Sequence, residues 1–183
     1  TLLVTNINDS PVISITGTPT EDQTLTAVVS DEDGISTAIS YQWYRGNDVI
    51  TDATSSTYTL VQADVGALIA VGVGYTDDLA NVHTGTSADT SAVANVNDAP
   101  TGSVTISGTP TEDQVLTAAN TLADEDGLGA ISYQWTRAGV DITGATSATY
   151  TLVQADVGAL IRVVASYTDG QGTAETSTSA ATS

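Results

Sequence analysis

The sequence contains no cysteine, methionine, phenylalanine or lysine, and the missing cysteine and lysine narrow its chemistry most. Without cysteine there is no disulfide framework and no thiolate metal site. Only three basic residues, Arg45, Arg137 and Arg162, accompany 22 acidic ones, so the formal net charge is −19. Nucleic-acid binding needs basic side chains to displace the counterions of the phosphates. Binding to an anionic membrane surface also needs basic side chains. The composition therefore argues against both functions. The charge instead favours solubility and the binding of cations.

Long apolar runs and catalytic side chains are also scarce. No apolar stretch approaches the roughly 20 residues of a membrane span, and no signal peptide is visible. The chain starts in mid-pattern, so we interpret it as a fragment. The single histidine, His83, is expected in a turn with a solvated side chain. Paired carboxylates are typical of glycoside hydrolases, but here they fall in turns. We therefore predict no enzymatic activity.

The residues that remain are small and favour β-strands. Hydrophobic residues make up 40% of the chain, mainly Val, Ile, Ala and Tyr, and Thr is frequent among them. Gly, Asn, Asp and Ser interrupt them about every ten residues, which is typical of a β-sandwich or barrel. The content of apolar residues is sufficient for a packed core.

Two copies of one unit fill the chain. GTPTEDQTLTA starts at residue 17 and returns as GTPTEDQVLTA at residue 108, while TYTLVQADVGALI occurs at residues 57 and 149. Residues 4–8 (VTNIN) also resemble residues 93–97 (VANVN). A period of about 92 residues indicates a string of whole domains. We expect residues 1–9 to end a preceding repeat, residues 10–96 to form repeat 1 and residues 97–183 to form repeat 2.

Each unit is expected to hold about seven strands, the number in an immunoglobulin-like sandwich. In the first unit they are predicted at residues 12–16, 23–29, 38–45, 48–50, 57–60, 67–76 and 84–95. Trp43 and Trp135 lie in the middle of SYQW strands and are predicted core residues. ADVGAL resembles the Asp-x-Gly-x-Tyr corner of immunoglobulin domains, with Leu68 and Leu160 in the place of the tyrosine.

The stretch ISYQWYRGNDVITDATSSTYTLVQADVGALIAVGVGYTD and its second copy resemble the tandem immunoglobulin-like repeats of large bacterial surface adhesins, many of which carry RTX repeats. The joint ANVNDAP is similar to the calcium-binding linker of cadherins. These resemblances imply an all-β fold of two tandem immunoglobulin-like sandwiches joined by a short calcium-binding linker. They also imply an extracellular position on the bacterial cell surface, where the repeats act as spacers in cell adhesion.

Most of the acidic residues are predicted to lie in turns at the ends of the units. Clustered carboxylates repel one another by about 4 kcal/mol per pair at ~4 Å and an effective dielectric near 20, and no lysine neutralises them. Ca²⁺, which takes six to eight oxygen ligands in a forgiving geometry, meets this need. The candidate ligands are Asn8, Asp9, Asp31, Asp33 and Asp77 at the N-terminal end; Glu21, Asp22, Asp64, Asn95, Asn97, Asp98, Asp124, Asp126 and Asp169 at the joint; and Glu112 and Asp113 at the C-terminal end.

Two alternatives stay open at this point. Asp64 and its counterpart Asp156 either bind the ion or tie their turn to a nearby basic group. The repeats either extend the protein or act as a glycan-binding, protein-binding or homotypic association module, since a fold does not fix a function. The partners expected are neighbouring repeats of the same chain, with weak homotypic contacts, and neither nucleic acid nor direct membrane contact.

Overall fold

The structure, a computed structural model that describes residues 4–183, consists of β-strands joined by turns and irregular loops. Helical geometry is limited, among these residues, to two short 3₁₀ turns at Gln62–Asp64 and Gln154–Asp156. None of the described helices has the length and apolar content needed to cross a membrane. The chain forms two compact units, unit 1 at Thr1–Val96 and unit 2 at Asn97–Ser183.

Unit 1 contains seven strands in two antiparallel sheets. The strands are β1 (Val12–Thr16), β2 (Thr24–Ser30), β3 (Ser40–Arg45), β4 (Asp48–Val49), β5 (Thr57–Thr59), β6 (Ile69–Thr76) and β7 (Val82–Thr86). One sheet has the order β1-β2-β5 and the other β4-β3-β6-β7. This order, with the first, second and fifth strands facing the rest, is that of an immunoglobulin-like sandwich.

Unit 2 repeats this arrangement. Its strands are β8 (Val104–Ser107), β9 (Val115–Asn120), β10 (Ser132–Arg137), β11 (Val140–Asp141), β12 (Thr149–Thr151), β13 (Ile161–Thr168) and β14 (Ala174–Thr178). The sheets have the orders β8-β9-β12 and β11-β10-β13-β14. The same strand pairs therefore form in both copies of the repeated sequence.

Alternating apolar residues fill the space between the sheets of each unit. In β6, Ile69, Val71, Val73 and Tyr75 are buried, and Gly72 and Gly74 alternate with the last three of them. Successive side chains of a strand point to opposite faces, so this spacing places one row in the core. The strand is therefore amphipathic with a period of two residues.

The tryptophans lie at the centre of the two cores, as the SYQW pattern predicts. Trp43 and Trp135 are fully buried, and each indole N–H donates to a backbone carbonyl, that of Ser55 at 2.9 Å and that of Ser147 at 2.8 Å. A buried indole needs such an acceptor because an unpaired N–H is costly. The missing disulfide of immunoglobulin domains is thus replaced by packing around a hydrogen-bonded tryptophan.

The last strand of each unit is shorter than the predicted 84–95 strand. In unit 1, β7 ends at Thr86, and the N–H groups of Val71 and Ile69 then donate to the hydroxyls of Ser87 and Thr90, each at 3.1 Å. Ser and Thr side chains compete with the backbone for ladder hydrogen bonds. The N–H groups of Ser87 and Thr90 still donate to the carbonyls of Val71 and Ile69, both at 2.9 Å, and isolated parallel bridges follow at Val93 and Ala94.

Candidate metal centre

Asp64 and Asp156 are held in the turn that contains the 3₁₀ helix. The Arg45 guanidinium donates to Asp64 Oδ1 at 2.8 Å, while the Tyr58 hydroxyl and the Val61 N–H donate to Oδ2 at 2.8 and 2.9 Å. Unit 2 repeats this network at Asp156 with Arg137, Tyr150 and Val153.

This network accounts for both oxygens of each of these carboxylates. Burial alone would raise the pKa of Asp156, but hydrogen bonds from Val153, Arg137 and Tyr150 outweigh it and lower that pKa. Of the two alternatives considered from the sequence, the contacts favour the structural tie to a basic group over a ligand role for Asp64.

The remaining candidate site is the N-terminal pole of each unit. In unit 1 the pole comprises Asp9, Asp31, Asp33 and Asp77, and in unit 2 it comprises Asp98, Asp124, Asp126 and Asp169. The DEDG turn supplies the second and third residue of each set. The fourth residue is the Asp of the YTD sequence and directly follows the last residue of β6 or β13.

The first aspartate of each DEDG turn positions the turn itself. Asp31 and Asp124 accept the N–H of the residue two positions later through Oδ1, at 2.9 Å in both units. Their Oδ2 atoms accept the hydroxyls of Tyr75 and Tyr167. Burial first, and then the neighbouring carboxylate, raise the pKa of Tyr75 to about 12 and also raise the pKa of Tyr167. The tyrosines therefore stay protonated and act as donors.

The third residue of the turn reaches the preceding linker. Asp33 and Asp126 are buried, with 8% and 4% exposure, and each Oδ2 accepts a linker N–H, that of Asp9 at 2.7 Å and that of Asp98 at 2.8 Å. In unit 2, a carboxylate oxygen of Asp98 also lies within 4.8 Å of one of Asp126.

In unit 1, N–H donors pair with the remaining oxygens of Asp33 and Asp77. The Asn6 amide donates to Asp33 Oδ1 at 2.5 Å. Asp77 accepts the backbone and side-chain N–H groups of Asn81 at 2.7 and 2.9 Å, and the His83 ring lies 3.0 Å from its Oδ2. Burial would raise the pKa of Asp77, but these hydrogen bonds lower it to about 2. Asp77 therefore remains a carboxylate at neutral pH.

Unit 2 leaves the equivalent oxygens without donors. Asp126 Oδ1 and Asp169 Oδ2 are buried atoms that accept no hydrogen bond from any residue of the described range 4–183. Asp169 itself is 6% exposed, and its Oδ1 accepts the N–H groups of Gln171 and Thr173 at 2.9 and 2.7 Å. Unpaired buried acceptors are rare in native proteins because desolvation is costly. The pole of unit 2 therefore has two buried carboxylate oxygens with no donor or cation beside them in the described part of the chain.

A glycine lets the two acidic turns of unit 2 approach each other. The Gly170 N–H donates to the Asp126 carbonyl at 3.0 Å, and a Cβ at Gly170 would lie 2.5 Å from that oxygen. Asp78 occupies the corresponding position of unit 1, where its N–H donates to Asp33 at 3.3 Å. Backbone contact thus joins the DEDG turn that contains Asp126 to the turn that follows Asp169.

The other predicted ligands differ in burial and in their hydrogen bonds. Asp22 and Asp113 are exposed and adopt φ of +62° and +63°, a conformation that Asp tolerates in turns. Glu21 is 3% exposed and accepts the Val96 N–H at 3.2 Å, whereas Glu112 is exposed.

The predicted asparagine ligands lie in the linkers. Asn95 is half-buried with an unpartnered Oδ1, and Asn97 donates to Glu175 at 2.8 Å. Asn8 is exposed.

The expectation for His83 is wrong. His83 is 8% exposed, lies in β7, stacks on Tyr75 with ring centroids 5.2 Å apart and contacts Asp77. Sequence reasoning placed it in a turn because the strand was predicted to start at residue 84, two residues too late. The sequence analysis also missed Tyr75 and Tyr167, whose hydroxyls donate to Asp31 and Asp124. The repetition of YTD in both units could have identified them.

Comparisons with known proteins add little about function. No protein-family model matches the chain, and no curated protein matches it. Among solved structures, the chain is similar to three N-terminal domains of the Highly Immunogenic Outer Capsid protein (Hoc) of bacteriophage RB49, with 16% identity and a TM-score of 0.37 over 93% of this chain. The chain spans 59% of the length of that structure. It is also similar to murine CEACAM1b, with 14% identity and a TM-score of 0.32 over 93% of this chain and 97% of that one.

Proposed function

We propose that unit 2 binds Ca²⁺ at its N-terminal pole and that the chain serves as a calcium-stiffened spacer of an extracellular bacterial adhesin. The observation that carries the calcium proposal is the pair of buried, unpartnered oxygens, Asp126 Oδ1 and Asp169 Oδ2. The carboxylate of Asp98 near Asp126 supplies a third oxygen ligand.

The charges of the molecule point to a cation from solution. Arg45 and Arg137 bind Asp64 and Asp156, and Arg162 donates to the Ser179 carbonyl at 2.9 Å. All three basic side chains are thus used away from the pole. A metal ion supplies the charge that the sequence does not.

The oxygen-only ligand set favours Ca²⁺ over other metals. Zinc prefers histidine or cysteine, and the pole of unit 2 contains neither. Mg²⁺ demands near-ideal octahedral geometry and keeps its waters, whereas Ca²⁺ accepts carboxylates, carbonyls and water in irregular arrangements. An exposed Asn97 or water would complete the coordination.

The position of Asp98 connects this site to the spacer role. Asp98 is the second residue after Val96, the last residue of unit 1, and its N–H is bound to Asp126 of unit 2. An ion that joins Asp98, Asp126 and Asp169 would fix the linker to unit 2. We expect this to restrict the motion between successive units.

The glycan-binding alternative has no structural feature in its favour. All nine aromatic side chains, two Trp and seven Tyr, are buried or half-buried, including Tyr44. Carbohydrate sites generally need an exposed aromatic face. A spacer needs none.

Calcium binding is tested by thermal unfolding and titration of the parent and of Asp126→Asn. Binding to the folded state alone stabilises by about 2.7 kcal/mol at a hundredfold excess over Kd, so calcium should raise the Tm of the parent. Asp126→Asn should lose most of this rise, while Asp141→Asn, an exposed position of unit 2, should keep it. Equal calcium responses in all three proteins would refute the site.

The spacer role is tested by solution scattering of the parent with calcium and with chelator. Calcium should narrow the distribution of distances between the units, and Asp126→Asn should remove this effect. An unchanged scattering profile would refute stiffening even if calcium binds.

A further inference from the structure

One carboxylate near the pole of unit 2, that of Glu175, is not among the ligands predicted from the sequence. Glu175 lies in β14, where its Cα is paired with that of Tyr167 in β13. It is half-buried, whereas its neighbours Ala174 and Thr176 are exposed. Strand β13 ends at Thr168. Glu175 therefore stands beside the strand that leads into Asp169.

In unit 1 the same position reaches the last aspartate of the pole. His83 is the counterpart of Glu175 and pairs with Tyr75, on which its ring stacks. Its Nε2 atom lies 3.0 Å from Asp77 Oδ2. The carboxylate of a glutamate reaches about as far from the backbone as Nε2 of a histidine. The shared register therefore directs Glu175 towards Asp169, the counterpart of Asp77.

The oxygen that faces this position is the unpartnered one in unit 2. Asp77 Oδ1 accepts the Asn81 N–H and Asp169 Oδ1 accepts the Thr173 N–H, both at 2.7 Å, so the two Oδ2 atoms correspond. Asp169 Oδ2 is buried and accepts no hydrogen bond from residues 4–183. A second carboxylate beside a buried one is repelled by it, and a cation between the two turns this repulsion into attraction.

The hydroxyl of Tyr167 reports the same concentration of charge. Burial and the hydrogen bond to Asp124 raise the pKa of Tyr167 most, and the charges of Glu175 and Asp169 raise it further. Carboxylates from the DEDG turn, from the end of β13 and from β14 thus surround one phenol. The three arginines have their contacts elsewhere in the molecule.

We propose that Glu175 is a further ligand of the ion in unit 2 and that Asn97 of the linker positions it. This inference rests on the proposed calcium site. Among the described residues, the one hydrogen bond to the Glu175 carboxylate comes from the Asn97 amide, at 2.8 Å to Oε1, which leaves Oε2 for the ion. The linker then contacts two ligands, Glu175 through Asn97 and Asp126 through the Asp98 N–H.

Glu175→Gln should have opposite effects with and without calcium. The variant keeps an oxygen that accepts the Asn97 amide but removes the charge that repels Asp169. In chelator its Tm should therefore equal or exceed that of the parent. Its calcium affinity in isothermal titration should fall at least about tenfold, the lower range for loss of even an outer partner of a metal ligand. A Tm below that of the parent in chelator, with unchanged affinity, would show a purely structural role.

Glu125→Gln is the matched control. Glu125 is the exposed second acid of the DEDG turn, so the exchange removes the same charge from the same pole. Its calcium affinity should fall by less than about threefold, because exposed charges are screened by salt. Equal losses of affinity in Glu175→Gln and Glu125→Gln would mean that Glu175 acts only through the overall charge, and would overturn its assignment as a ligand.

The role of Asn97 is tested by a double-variant cycle. Asn97→Ala should weaken calcium binding less than Glu175→Gln does, and the double variant should bind no more weakly than Glu175→Gln alone, since Asn97 acts through Glu175. Additive losses would overturn the positioning role. The calcium site itself fails separately: if Asp126→Asn abolishes the calcium response and Glu175→Gln keeps the affinity of the parent, the site stands without Glu175. A parent that binds no calcium overturns both.

Discussion

Single residues determine whether the buried carboxylate oxygens of each pole receive hydrogen bonds. At equivalent positions, His83 and Asn81 in unit 1 stand where unit 2 has Glu175 and Thr173. The first pair donates hydrogen bonds to Asp77, whereas Asp169 keeps one oxygen without a donor. Two poles built from the same motif therefore differ in their need for a cation.

The exchange His83→Glu tests this difference. It removes a ring that contacts Asp77 and adds a carboxylate at the position of Glu175, so the pole of unit 1 should gain calcium affinity. Isothermal titration should then show an additional binding event or a higher total affinity than the parent. His83→Gln, which adds no charge, is the control; a gain of equal size in it would contradict the charge argument.

The network around Asp156 makes a second residue-scale prediction. Asp156→Asn keeps the size of the side chain but removes charge-assisted hydrogen bonds, each about 1.5–3 kcal/mol. We expect unit 2 to lose stability of that order in urea unfolding at pH 7. Asp141→Asn, at an exposed position, should change the stability by less than about 0.5 kcal/mol.

This loss should depend on pH in one direction. The pKa of Asp156 is lowered in the folded state, so its contribution is complete above the unfolded pKa of about 3.9 and is lost as the pH falls through the lowered value. The difference between parent and Asp156→Asn should therefore be constant near neutrality and shrink below about pH 4. A difference that grows on acidification would contradict the assigned sign.

At the scale of elements, one end of the unit 1 sandwich is closed by a short piece of chain rather than by a strand. The segment from Val93 to Val96 forms two bridges and four backbone hydrogen bonds but no regular strand. It nevertheless supplies a core side chain.

Val93→Ala measures this contribution. It deletes about two buried methyl groups and should destabilise unit 1 by about 2 kcal/mol. Urea unfolding followed by Trp43 fluorescence, in a Trp135→Phe background, isolates unit 1. Val96→Ala, at 41% exposure, is the matched control and should have a smaller effect. Equal effects would show that the segment does not pack as a core element.

Across the whole molecule, a net charge of −19 is concentrated in turns. Charges within one Debye length, about 8–10 Å near physiological salt, repel strongly until they are screened. In chelator, sodium chloride should therefore raise the Tm of the parent. It should not narrow the distance distribution in scattering, because screening supplies no directional ligands. A Tm that is independent of salt would show that the repulsion is already relieved within the fold.

The sequence by itself determined the repeat, the β class and the core. Both tryptophans and the alternating strands are confirmed because period-two patterns report burial directly. The turn acids could be identified as a set, since Asp and Asn favour turns. The sequence could not show which of these acids are structural and which are candidate ligands. That depends on which hydrogen-bond donors the other strands bring to each carboxylate oxygen.

Only the tertiary structure separated the aspartates of the two poles. Asp64 meets an arginine 19 positions earlier, Asp31 meets a tyrosine 44 positions later, and Asp126 Oδ1 meets no donor in the described range. Local sequence is the same, or nearly so, around each member of a repeated pair. The difference arises from long-range contacts at a few replaced positions: Asp77 accepts hydrogen bonds from His83 and Asn81, whereas unit 2 has Glu175 and Thr173 there. One buried oxygen of Asp169 is therefore left without a donor, because neither replacement donates to it from its side chain.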